Sequence, residues 1–203
     1  ATANVTITRS LKAGWNAIVL PITLTATEVS DAFGENAEVA AYDGDEGTGS
    51  VTVNFSKVTK IVAGTPYLLY LESTPSKELR FLNKTITKEV KTVKGQTFSF
   101  TGVYETTDIN TGDYFLTGGN LKRATTNNKV LPFRSYLQLN NKGDEARGIR
   151  FFVDGEEIDA TATGIETLKQ QVAAEGIYTL SGQKVDRLQK GLNIVNGKKI
   201  FVK

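Results

Sequence analysis

Cysteine, histidine and methionine are absent from this chain of 203 residues. Without a thiol or an imidazole there is no Ser-His-Asp or Cys-His nucleophile, no thiolate or imidazole metal site and no disulfide, which excludes most familiar catalytic machinery. A cysteine-free chain suits an exported bacterial protein, which meets oxidants without pairing errors. The lack of Met, even at position 1, fits a chain processed or cut from something longer. No apolar run approaches the roughly 18 residues of a membrane-spanning helix, so no transmembrane segment is expected. GDEGTGS lacks the following Lys-Ser/Thr and the helix that a phosphate-cradling loop needs. No cofactor is expected.

The net charge of +2 gives no general attraction to nucleic acid or to anionic lipid, and no nucleic-acid partner is expected. Its distribution is uneven. No basic residue lies between Lys12 and Lys57, where Glu28, Asp31, Glu35, Glu38, Asp43, Asp45 and Glu46 stand; residues 176–203 carry six Lys or Arg against Asp186 alone. The basic residues of that end are interleaved with apolar ones, as on a solvated strand face.

What is present reads as strands. NVTITRSLKAGWNAIVLPITLT is broken by Gly14 and Pro21 into short apolar stretches. AEVAAYDG, SVTVNF, TPYLLYL, ELRFLN, TFSFTG, DYFLTG, VLPFRSYLQL and GIRFFVDG are rich in β-branched and aromatic residues and bounded by turn formers. This spacing predicts an all-β domain over 1–157, a sandwich or barrel-like fold. One helix interrupts it. Thr25 and Glu28 have capping-box spacing, Val29 and Phe33 share a helical face, and Gly34 stands at the stop, which predicts a helix over 26–33. PYLLYL from Pro66 and PFRSYL from Pro132 share Pro, aromatic, two residues, Tyr, Leu. Two similar β halves are one reading of that match, and chance likeness between strands is the other.

Past Asp159 the aromatics give way to Ala and Thr, and TGIETLKQQVAAEG offers a capping pair at Thr163 and Glu166, so 158–175 is a linker or a short helix. Residues 176–203 predict a small β-meander: strands over Ile177–Leu180, Leu192–Val195 and Ile200–Val202, a turn at Ser181-Gly182, and Asn196-Gly197 as a two-residue hairpin turn. Three short strands barely sustain themselves in water, so this element is expected to pack on the main domain.

That ending, GIYTLSGQKV followed by KGLNIVNGKKIFVK, resembles the C-terminal segment of many secreted and surface proteins of Bacteroides and Prevotella type bacteria. It is more distantly similar to the C-terminal sorting domains of type IX secretion, and shorter than a full one. GWNAIVLPITLTATEVSDAFG, IVAGTPYLLYL, GDYFLTGG and LPFRSYLQL look like the β-rich region that precedes such tails. The resemblance implies export, display at the cell surface or release, and a non-catalytic module.

Candidate contacts come from the aromatics. Trp15, the only Trp, lies between apolar neighbours, which predicts core packing, with a sugar-stacking platform as the alternative. Tyr42, Tyr67, Tyr70, Tyr104, Tyr114 and Tyr136 either line a binding face or pack as strand tyrosines do. Trp15, Tyr42, Tyr67 and Tyr136 are taken as ligand-contact candidates. In YDGDEGTGS, Asp43, Asp45 and Glu46 read as a solvated Gly-rich turn; the loop lacks the terminal bidentate Glu of a calcium site, and no metal ligand is assigned. A glycosidase needs two carboxyl groups roughly 5 to 10 Å apart across a cleft, and no Asp or Glu pair is flanked by cleft aromatics. No catalytic residue is assigned, and the chain is read as a non-enzyme. The expectation is a secreted or cell-surface interaction module for adhesion or scaffolding, meeting a surface glycan or a host or bacterial surface protein. A carbohydrate-binding module of a polysaccharide-degrading system is the alternative, and a glycoside hydrolase the remotest.

Overall fold

The computed structural model describes residues 2–75, 78–117, 120–141 and 148–158, with the strand segments 177–179, 184–185, 191–195 and 198–202. Contacts divide the chain into two units, 1–165 and 166–203. The first opens with β1 (Thr2–Ile7), β2 (Gly14–Val19) and helix α1 (Ala26–Phe33). It continues through β3 (Glu38–Glu46), β4 (Ser50–Val58), β5 (Pro66–Leu71), β6 (Leu79–Thr85), β7 (Thr92–Lys94) and β8 (Phe98–Val103). β9 (Thr107–Asp108), β10 (Tyr114–Thr117), β11 (Asn120–Arg123), β12 (Lys129–Val130), β13 (Arg134–Leu139), β14 (Gly148–Val153) and β15 (Glu156–Ile158) complete it. The fold is all-β with one described helix, as the strand spacing predicts.

Two sheets make the sandwich. Six strands run β15-β14-β4-β3-β5-β2 and five run β11-β10-β13-β8-β7. Ala17, Ala40, Tyr42, Val53, Phe55 and Leu68 of the first meet Phe98, Phe100, Leu121 and Leu137 of the second. Aromatic edges interlock there, Phe55 on Phe100 at 5.6 Å and 88°. The opposite face of the six-stranded sheet is also buried over β2, β5 and the start of β3: Ile18, Val39, Tyr67, Leu69 and Leu71 lie under Val29 and Phe33 of α1 and under Ile7, Leu79 and Phe81 of the β1–β6 ribbon. This is why AIVL and PYLLYL are continuously apolar: a strand buried on both faces has no polar alternation.

Both sheets contain the same connectivity. A first strand, a hairpin, and a return strand inserted between them give β4-β3-β5-β2 in one and β11-β10-β13-β8 in the other. Every pair within these two sets is antiparallel, whereas β14 joins β4 in parallel. In each set the segment leaving the first strand meets the segment entering the last, Leu24 bridging Ile61 and β9 pairing with β12. The sets differ in that α1 occupies the connection from β2 to β3. PYLLYL is β5, while PFRSYL enters β13, the corresponding strand. VLPFRSYLQL is therefore not one strand: Pro132 lacks an N–H, Phe133 turns at φ 59, and β13 starts at Arg134.

The helix starts as its sequence dictates. Thr25 Oγ1 accepts from Glu28 N, the Glu28 carboxylate accepts from Thr25 N, and Val29 and Phe33 are buried. Glu28 also pairs with Lys84 of β6, which holds its carboxyl below the usual carboxylate range and fastens helix to ribbon.

A buried polar knot joins the two sheets. The Asp45 carboxylate accepts from Tyr42 Oη at 2.6 Å, Thr97 N at 2.7 Å and Phe98 N at 3.3 Å. A Cβ at Gly95 would overlap both the Asp45 carboxylate and the Tyr42 hydroxyl, so this turn admits only glycine.

The expected boundary after residue 157 falls inside β15, whose Ile158 packs on the inter-sheet core. The linker or helix expected over 158–175 lies otherwise outside the described residues, as do Ser181-Gly182 and Asn196-Gly197. In the second unit β16 (Ile177–Thr179), β17 (Lys184–Val185), β18 (Gly191–Val195) and β19 (Lys198–Val202) form a sheet in the order β17-β16-β18-β19. That is one strand more than expected, and Val195 lies opposite Lys198 in the β18–β19 ladder.

Phe33→Ala should lower stability by about 3–5 kcal/mol in chemical denaturation, as emptied aromatic sites do; a loss below about 1 kcal/mol would show that α1 does not seal the sheet. Alkali tests the knot. Burial and Asp45 push the Tyr42 phenol well above 10, and burial lifts Tyr104 to about 12. The folded state therefore keeps protons that the unfolded chain releases, so this stability is full below pH 10 and is lost as pH rises beyond it. Tyr42→Phe should flatten that decline, measured by denaturant unfolding across alkaline pH; an unchanged slope would contradict the assignment.

Candidate functional site

The sequence around Trp15 fixes its place on the sheet. Gly14 turns at φ +86, where a larger residue would be strained. The Asn16 side chain then locks the turn: Nδ2 donates to the carbonyls of Lys12 at 2.8 Å and Gly14 at 2.9 Å, and Oδ1 accepts from Lys12 N at 3.1 Å. Asn16 is buried to do this, reaching across to Leu69 O as well. With the turn pinned, Trp15 faces the same way as Ala17, at the margin of the inter-sheet core.

Trp15 pairs across the ladder with Tyr70, and Tyr70 with Glu38, so the three form a row over β2, β5 and β3. The Trp15 and Tyr70 rings are 5.4 Å apart, tilted by 57°, and both residues are partly buried with a minor part exposed. Glu38 continues the row into an ion pair with Lys57 at 3.1 Å, its side chain 39% exposed and that of Lys57 47%. Two aromatic faces beside a carboxylate and an ammonium can stack a sugar ring and hydrogen-bond its hydroxyls.

The four candidate contacts do not share a face. Tyr67 is 5% exposed beneath α1, Tyr42 is 5% exposed between the sheets, and Tyr136 is 7% exposed in a small cluster with Val103, Ile109 and Val130. Their rings serve as core, as strand tyrosines on covered faces do, and offer no platform to a ligand. Tyr67 and Tyr42 spend their hydroxyls internally, on Val62 N and on Asp45 with Phe98 O. Trp15 alone of the four keeps part of its ring in solvent.

The reading of Asp43, Asp45 and Glu46 as a loop is corrected: all three belong to β3, and the turn follows at 47–49. A bulge between Tyr42 and Gly44 lets the strand continue through these polar residues. Asp45 turns inward to the knot, whereas exposed Asp43 accepts from Ser56 Oγ. Among the described residues no group of three His, Cys, Asp or Glu side chains could hold a metal ion.

Sequence reasoning passed over Tyr70 as Trp15's partner, because register is not visible in a strand that is apolar throughout. It also passed over Arg9 and Arg134. For Arg134 a signal existed: PFRSYL carries Arg where PYLLYL carries Leu68. Arg134 begins β13, and Arg9 donates from Nη1 to Phe133 O at 2.6 Å.

Among the described residues, no helix is long and apolar enough to cross a membrane. Comparison with protein-family models, with curated proteins and with solved structures finds no match to this chain.

Proposed function

We propose that this chain is a non-catalytic interaction module of an exported or cell-surface protein, and that it adheres to glycan through the Trp15–Tyr70 face. One observation carries the reading: the chain's only Trp is partly exposed, paired with a partly exposed Tyr, and held there by a buried Asn that shapes the preceding turn and bonds across to Leu69 of β5. A tryptophan needed only for packing gains nothing from such placement, since exposed ring area forgoes burial at about 25 cal/mol per Å². The Glu38 and Lys57 heads beside it supply polar contacts. Support for export comes from the absence of cysteine and from the likeness of residues 176–203 to tails of secreted and surface proteins.

Because Trp15 is the only Trp, its emission reports this face directly. Titration with a panel of neutral oligosaccharides should give a saturable change for at least one. Trp15→Ala should weaken retention on that glycan by about 30-fold, the scale of an aromatic anchor, and Tyr70→Ala should weaken it less. A flat emission response across the panel, with full retention of Trp15→Ala on immobilised glycans, would contradict the proposal.

A further inference from the structure

At the far end of β2 stands a second arrangement that neither packing nor the Trp15 face accounts for. Arg9 follows β1, and its Nη1 sits 2.6 Å from the carbonyl of Phe133, the peptide that leads into Arg134. Two guanidinium side chains therefore converge on one turn. The Nε of each is buried and has no hydrogen-bond partner, and among the described ion pairs no carboxylate faces either. Burial, with the Arg134 charge beside it, holds Arg9 well below the usual arginine range, at about 9, and burial lowers Arg134 as well. Desolvating two like charges without a counter-charge is unfavourable, and an unmet buried donor adds to it.

Arg134 opens onto a pocket of about 120 Å³, lined also by Lys129, Thr117 and Ser135 and by Phe115 and Leu131. Lys129 adds a second cation, shared with Asp108 at 3.1 Å. Leu131 is 51% exposed and Phe115 half-exposed. The space suits one compact oxyanion, far below the roughly 300 Å³ of a whole-ligand site. Whatever carries that oxyanion must lie outside, against Leu131 and Phe115, and a sugar ring has apolar C–H edges for such a surface.

We propose that Arg134, backed by Arg9 and rimmed by Lys129, is the anion subsite for an acidic saccharide, receiving a ring carboxylate or sulfate ester while the ring rests on Leu131 and Phe115. A planar guanidinium fits either oxyanion by two parallel hydrogen bonds. This subsite uses none of the residues of the Trp15 face, so the two readings stand or fall apart.

The probes are methyl glucuronide and glucose 6-sulfate, with methyl glucoside and inorganic sulfate beside them, titrated at low ionic strength by calorimetry and by amide NMR. Both acidic sugars should bind saturably and shift the amides of Lys129–Ser135, while methyl glucoside does not. Arg134→Gln should weaken them at least about tenfold and Trp15→Ala should leave them unchanged. Lys129→Gln, an exposed position that does not threaten folding, should weaken them several-fold, and dispersed spectra certify each fold. Binding undiminished in both Arg134→Gln and Lys129→Gln, or absent for both acidic sugars, would overturn the subsite. Inorganic sulfate as tight as the sugars would overturn the saccharide assignment, as would anionic phosphatidylserine vesicles that bind and outcompete them in an Arg134-dependent manner.

Discussion

Burial of β2 and β5 of the six-stranded sheet on both faces is the constraint from which the rest of this fold follows. Leu68 points into the inter-sheet core and Leu69 beneath α1, and both are fully buried. Covering these strands on both faces requires three layers, so the helix and the β1–β6 ribbon are as necessary as the second sheet. It also creates a difficulty. When both faces are apolar, a one-residue slip puts nothing polar inside, and hydrophobic pattern no longer specifies register. The buried polar residues provide that specification: Asn16 fixes where β2 begins, and Asp45 ties β3 to the turn before β8. Asp113, 1% exposed, does the same for β13 by accepting from Leu139 N at 2.8 Å and Asn110 N at 2.8 Å.

The edge of this sheet is closed by the same economy. β2 is its terminal strand, yet Val19 N donates to Phe133 O and Ser135 Oγ to Ile18 O, so the Phe133 turn and the start of β13 cap the last residues of an edge that would otherwise invite pairing with another chain. Exposed chemistry is left to the ends of β2. The Trp15–Tyr70 row lies at one end and the Arg9–Arg134 turn at the other, roughly 13 Å apart along the strand at about 3.3 Å per residue.

Local signals in the sequence were reliable where one interaction decides the structure. The capping box at Thr25 and Glu28 and the inward Val29 and Phe33 stand as the spacing predicts, because a helix start is settled within four residues. Strands carrying three or more apolar or aromatic residues were legible too. β9, β11 and β12 were not, being two to four polar-rich residues long and held by their partners alone. The break at Phe133 was hidden by the apolar run around it. At the candidate site the type of residue was readable and its surroundings were not. Nothing local distinguishes Tyr42 from Tyr70, because both point to the inter-sheet side and what separates them is how far the second sheet extends over them, a property of the assembled sheets. The repeated connectivity surfaced in sequence only as a six-residue stretch with three identical residues and one shared aromatic position, since the layers added to each set, α1 among them, differ.

The double coverage of β5 is tested most directly by native-state hydrogen exchange at Leu68 and Leu69 over a denaturant series. The account predicts that these amides open only with the whole domain, at the free energy found by equilibrium unfolding, while amides of the β1–β6 ribbon open at lower cost. Exchange of Leu68 and Leu69 through a denaturant-independent local opening, at or below the cost of the ribbon, would contradict it.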